Sequence, residues 1–173
     1  HNAKGEPAEP QHVRSQIDYI AAINCLFGEF DAKDFAGGLD EAAEHIRNIE
    51  PAPSAVVFSG GGYHCYWFLR DTFWIADDAD RERARHIQYE WAAYVDGDPD
   101  AKDLTRSLRL PGTHNRKPKY GPNFPLVRFV GWRPSFQYDL ESLESLLPEP
   151  EPLPAMPVMR FDGVGSNYAN AAL

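Results

Sequence analysis

The chain reads as a mixed helix-and-sheet domain of the α/β (α+β) class, and three features of the sequence predict this. Fifteen prolines and thirteen glycines are too many for a helical bundle, and they sit between short apolar runs of the kind that form strands. Two segments carry apolar residues at helical spacing. With 43% hydrophobic and 13% aromatic content in 173 residues, the chain can bury one core, so one domain with tails is expected.

The elements follow in order. His1 to Gln16 is polar, contains Gly5, Pro7 and Pro10, and lacks periodicity, so residues 1–16 are expected to be a truncated or loop-like lead. Ile17 to Phe30 turns apolar through Ile23, Cys25, Leu26 and Phe27 and reads as a buried strand ending in Glu29-Phe30-Asp31. Past Gly37 and Gly38, residues Leu39, Ala42, Ala43, Ile46 and Ile49 mark one amphipathic helix that stops at Pro51. Ala55 to Phe58 and His64 to Leu69 are β-favouring runs joined by the glycine turn Ser59-Gly60-Gly61-Gly62-Tyr63.

A second helix is expected from about Ala79 to Val95, capped by Asp77 or Asp78, with Ala84, Ile87, Trp91 and Val95 as its apolar stripe. An acidic loop, Asp96 to Asp103, comes next. Leu126 to Trp132 suggests a strand, and Asp139 ahead of Leu140, Leu143, Leu146 and Leu147 suggests a capped last helix. Trp67, Trp91 and Trp132 are assigned to the core. From Pro148 the alternating Pro and Glu cannot form a core, so 17–147 is the expected domain and 148–173 a linker and tail.

Charge narrows the function. A net charge of -9 argues against a surface given over wholly to nucleic acid. Locally, however, Leu104 to Tyr120 carries Arg106, Arg109, Arg116, Lys117 and Lys119 with no acid, and phosphates are expected there. Cys25 and Cys65 are too few and too far apart for a zinc cluster or disulfide framework and read as reduced thiols. No apolar run approaches the roughly 18 to 20 residues that span a membrane. A soluble cytoplasmic protein is the expectation.

Three constellations carry chemistry. In Glu29-Phe30-Asp31, residues two apart on a strand share a face, so two carboxylates stand side by side. Such a pair repels unless a cation lies between, which suits Mg²⁺ or Mn²⁺; a solvated strand end is the plain alternative. In Ser59 to His64 the glycines can turn amide N–H groups toward an anion, or simply make a hairpin turn. In Asp103-Leu104-Thr105-Arg106-Ser107-Leu108-Arg109-Leu110-Pro111-Gly112-Thr113-His114-Asn115-Arg116-Lys117, an acid precedes closely spaced anion-binding donors.

Taken together, acid-x-acid, then Ser-Gly-x-Gly-x-His, then an Asp ahead of basic residues resembles the signature of the archaeo-eukaryotic primase superfamily. The ending Asp-x-x-Arg-x-x-Arg-Leu-Pro-Gly-Thr-x-Asn is most similar to the primase-polymerases of phages, plasmids and mobile elements. The resemblance spans roughly Leu26 to Lys117. It implies a mostly antiparallel, RRM-like sheet flanked by helices, and template-directed joining of nucleoside triphosphates on a DNA template and primer. By the same resemblance, Glu29, Asp31 and Asp103 would hold two divalent ions, Mg²⁺ or Mn²⁺. Ser59, Gly60, Gly61, Gly62 and His64 would hold phosphates, with Arg106 and Arg109 on the nucleotide and Asn115, Arg116 and Lys117 on template or phosphate.

Lys33 and Asp34 belong either to the site or to a solvated loop. A helicase domain or protein beyond the C-terminal linker is the expected partner. Glu29 stands where these relatives usually carry Asp, a departure that raises one alternative: a nucleotide- and DNA-binding replication-initiation module that polymerises weakly. A rolling-circle nicking enzyme would need a His-hydrophobe-His pair, and His64-Cys65-Tyr66 supplies one His.

Overall fold

The computed structural model describes residues 17–148, so the expected lead at 1–16 and the tail at 149–173 lie outside the described residues. Among the described residues, four strands form an antiparallel path in the order β1-β3-β2-β4: β1 (Ala22–Asp31), β2 (Ala55–Phe58), β3 (Gly62–Trp74) and β4 (Arg128–Trp132). A two-residue strand, β5 (Gln137–Tyr138), pairs in parallel with Phe68 and Leu69 of β3. Three helices accompany the sheet: α1 (Gly38–Asn48), α2 (Asp78–Tyr94) and the short α3 (Leu140–Glu144).

Alternation sorts the strand residues onto two faces. Leu26, Gly28 and Phe30 stand opposite Trp67, Cys65 and Tyr63, on the face that the helices cover. There Trp67 meets Trp91 of α2 edge-on at 5.1 Å, and Ile87, Val95 and Ile46 complete the core. Phe27, Glu29 and Asp31 stand opposite Tyr66, His64 and Gly62 on the other face.

α1 and α2 begin and end close to where the sequence says, while α3 stops at Glu144, short of Leu147. Asp77 accepts a 2.9 Å hydrogen bond from the Asp80 amide and so caps α2. α2 also seals the sheet. β1 is an edge strand, and the fully buried Gln88 side chain accepts from Phe27 N (3.1 Å) and donates to Phe27 O (2.9 Å). Backbone groups that a neighbouring strand would otherwise satisfy are thereby paired.

Three expectations about local structure are corrected. Ile17–Tyr19 is a single 3₁₀ turn, and the strand starts at Ala22. Asp139 makes no side-chain cap on α3; its carboxylate binds the Arg70 guanidinium at 2.8 Å. Trp132 is not core: it is 56% exposed on β4, at the edge of the sheet path.

Candidate functional site

The site lies on the sheet face away from the helices, at the end of β1. The antiparallel register sets Glu29 directly opposite His64 and Asp31 opposite Gly62, so the acid pair and the histidine that closes the glycine turn are neighbours. Asp96, at φ 56°, turns the chain after α2, and the Asp98 amide then donates to Glu29 O at 2.8 Å. That bond on the outer edge of β1 delivers Asp98 to the acid strand.

Glu29, Asp31 and Asp98 form a divide between two cavities. On one side, a cavity of about 280 Å³ is further lined by Asp34, Phe35 and Asp96. On the other, a cavity of about 340 Å³ is completed by His64, Arg106, Ser107, Arg109 and Lys117. Carboxylates on one side and cations on the other suit a metal-bound anion, with each half facing its complement. A further cavity of about 330 Å³ lies on the helix side, lined by Ala43, Ile46, Val56, Tyr63 and Arg133 among others, and has no carboxylate.

Arg106 Nε donates to Glu29 Oε1 at 2.8 Å, and Arg106 Nη1 donates to Asp100 O at 3.3 Å. The Glu29 carboxylate also stands 3.9 Å from His64 Nε2, beyond hydrogen-bonding reach. Burial of His64 lowers its pKa below the usual histidine value; Glu29 and Asp31 oppose the shift, while Arg109 and Arg106 reinforce it. His64 Nδ1 is buried without a hydrogen-bond partner. A neutral imidazole with an unpaired ring nitrogen fits a ligand oxygen or proton.

The donor set fits a divalent cation. Asp31, Asp34 and Asp98 each offer a carboxylate oxygen, and these oxygens lie within 4.8 Å of one another. Hard oxygen donors of this kind select Mg²⁺ or Mn²⁺ over softer metals. Lys33 Nζ sits 3.9 Å from Asp31 and 3.7 Å from Asp34 and offsets part of their charge.

Of the residues singled out from sequence, the fold brings Glu29, Asp31, His64, Arg106, Arg109 and Lys117 around one cavity. It does not bring Asp103 there, contrary to expectation. Asp103 is exposed, accepts from Thr105 Oγ1 at 2.6 Å, and is absent from the cluster that Asp31, Asp34 and Asp98 form. The acid that joins the pair is Asp98, five residues earlier in the same acidic loop. Asp34, read as site or loop, belongs to the acidic side.

The glycine turn also differs from its expected role. Ser59 is buried and its hydroxyl donates to Gly62 O at 3.1 Å, which closes the turn on itself. A Cβ at Gly61 would collide with the Tyr120 hydroxyl, so that ring lies over the turn, and Gly60, Gly61 and Gly62 do not line the basic cavity. Asn115, only 2% exposed, donates to Ser59 O at 2.9 Å and accepts from Lys117 N at 3.2 Å, so it braces the turn rather than facing template. Arg116 lies over the Phe124 ring, 5.3 Å from its centroid, away from the acids' cavity.

Comparison with known proteins follows the same outline. Residues 39–140, more than half of the chain, match the family described as the RepB DNA-primase N-terminal domain. The match takes in the glycine turn and the Asp98-to-Lys117 segment and begins beyond β1. No curated protein matches significantly. Among solved structures, the fold is similar to the AEP domain of the cyanophage S-2L primase-polymerase, at a TM-score of 0.58 and 20% identity, covering 77% of this chain and 64% of that one. Primase RepB′ is also similar, at a TM-score of 0.46 and 20% identity, covering 72% of this chain and 39% of that one. The chain thus spans less than two thirds of either relative. Among the described residues, no helix is long and apolar enough to cross a membrane.

Proposed function

The chain belongs to the RepB DNA-primase N-terminal domain family, and we propose that it is a template-directed DNA primase-polymerase that joins nucleoside triphosphates with the help of divalent metal ions. The observation that carries this reading is the divide formed by Glu29, Asp31 and Asp98, with carboxylates on one side and His64, Arg106, Arg109 and Lys117 on the other. A nucleotidyltransferase needs this polarity, because the triphosphate must be neutralised while its α-phosphate is attacked in line.

In this reading Asp31 and Asp98, with Asp34 and Glu29 completing the set, would hold two Mg²⁺ or Mn²⁺ ions. Ions bound there would neutralise the triphosphate and lower the pKa of a primer 3′-hydroxyl. Arg106, Arg109 and Lys117 bind and orient the phosphate tail from the basic side. Neutral His64 holds a phosphate oxygen through a single N–H, and its burial excludes water from that oxygen. Asn115 and Tyr120 act one step back by fixing the glycine turn that places His64. DNA template and primer, nucleoside triphosphates and a helicase domain or protein are the partners this activity calls for.

One observation favours a second reading. Glu29 is engaged by Arg106 at 2.8 Å, an arrangement that suits a replication-initiation module binding nucleotide and DNA without polymerising. Primer extension and unprimed synthesis with Mg²⁺ or Mn²⁺, in wild type and Asp31→Ala, separate the two. Synthesis that is lost in the variant supports polymerisation. A folded wild type that binds nucleotide but makes no product supports the binding module.

A further inference from the structure

We propose that Phe68, Phe129 and Trp132 form a stacking platform for the bases of single-stranded DNA, on the same sheet face as the acids and at its opposite edge. The inference rests on the template-directed reading above. Cross-strand register places the platform. Glu29, His64, Val57 and Phe129 form one row across β1, β3, β2 and β4, and Phe27, Tyr66, Ala55 and Trp132 form the next. Val57 and Ala55, each 1% exposed, form the floor of these rows. Three strand spacings separate Glu29 from Phe129, roughly 14 Å, which is the length of about four stacked nucleotides.

The rings are open and held on edge. Phe129 is 49% and Trp132 56% exposed; their rings meet at 4.9 Å, and Trp132 meets Phe68 at 5.8 Å. Rings braced by one another but facing solvent lose little freedom when a base stacks on them. Charge selects the occupant. Between Leu104 and Tyr138 the chain carries seven Arg and Lys residues and no acid, in a protein of net charge -9. This one stretch supplies β4 and also the basic wall of the cavity, Arg106, Arg109 and Lys117, at the acid end of the same face, whereas Arg128 lies over Phe58 and Arg133 lines the helix-side cavity on the other face. A basic wall at one end of a face and open aromatics at the other suit a strand held by its phosphates at the first and stacking its bases on the second.

Pairing with a protein strand fits less well. β4 carries an irregularity at Val130, where two residues of β4 span one step of β2, and this twists the edge away from a straight partner.

Trp132 reports on the test itself. Of the four tryptophans, Trp67 and Trp91 are fully buried and Trp74 and Trp132 are exposed, so Trp74→Phe leaves Trp132 as the exposed indole. Titration of the full chain carrying that change with an oligothymidylate should quench its fluorescence saturably. Trp132→Ala and Phe129→Ala should each weaken oligonucleotide binding, measured by anisotropy, roughly tenfold, while Trp132→Phe keeps most of it. Thermal melting checks that each variant is folded. Unchanged affinity in a folded Phe129→Ala, Trp132→Ala double variant overturns the platform, as does a loss of self-association in that variant with DNA binding intact. Binding needs no synthesis, so Asp31→Ala in parallel tells a failed platform from a failed polymerase.

Discussion

Arg106 Nε donates a 2.8 Å hydrogen bond to Glu29 Oε1 across 77 residues of sequence, tying the basic segment to the acid strand. The bond holds the loop closed over the cavity and also occupies an oxygen that a cation would use. Metal ligation by Glu29 would therefore compete with Arg106. Nucleotide bound in the proposed site would resolve the competition by offering the guanidinium phosphate oxygens in place of the carboxylate.

Arg106→Ala should accordingly bind Mn²⁺ more tightly in the absence of nucleotide and bind nucleoside triphosphate more weakly. The pair is partly exposed, so the gain in Mn²⁺ affinity should be about fivefold, the equivalent of about 1 kcal/mol. Calorimetric titration of each ligand measures the two changes. A parallel fall in both affinities would show that Arg106 supports the metal site rather than competing with it.

His64 predicts a pH dependence with a definite sign. Its folded pKa lies below the ordinary value of 6.5, first because of burial. Between the two values the unfolded chain binds the proton and the folded chain does not, so stability falls as pH drops through that interval. The contribution is fully present above pH 6.5. Urea unfolding of wild type and His64→Gln from pH 7.5 to 5 should give a steeper loss for wild type.

Gln88 links α2 to both backbone groups of Phe27. Gln88→Leu keeps the volume but orphans a buried N–H and a buried C=O, at a cost of about 2 to 4 kcal/mol. Activity should fall as well, since β1 carries Glu29 and Asp31. Denaturant midpoints with unchanged slope would show the loss directly.

Two glycines with left-handed backbones separate strain from contact. Gly60 (φ 91°) would place a Cβ 2.8 Å from Asn115 Cβ, whereas Gly112 (φ 88°) has nothing within 4 Å. Gly112→Ala should cost about 1 kcal/mol from the backbone alone. Gly60→Ala should cost more, because it also pushes Asn115 off Ser59 and frees the turn. Thermal melting of both variants checks the order.

Much of this was legible in the sequence, and the remainder had a common cause. Periodicity located α1, α2 and the strands around the glycine turn, because those signals are local. The same-face geometry of Glu29 and Asp31 was local too. Asp98 was not: it and Asp103 share an acidic loop, and only the turn at Asp96 and the bond from the Asp98 amide to Glu29 O choose between them. Trp132 misled because period-two alternation says that a residue shares a face, not whether anything covers it. Gln88 did leave a signal. It falls between Ala84 and Trp91 on the buried side of α2, and a polar residue on an apolar stripe calls for a polar partner such as an open strand edge.

The central claim is that the Glu29, Asp31 and Asp98 divide is where polymerisation occurs, and template-directed primer extension in Mn²⁺ by four proteins tests it most directly. Wild type and Asp103→Ala should extend the primer, while Asp31→Ala and Asp98→Ala, folded by thermal melting, should lose at least about a hundredfold in rate, as expected when a metal-holding carboxylate is removed. Extension by Asp31→Ala at the wild-type rate would contradict the account.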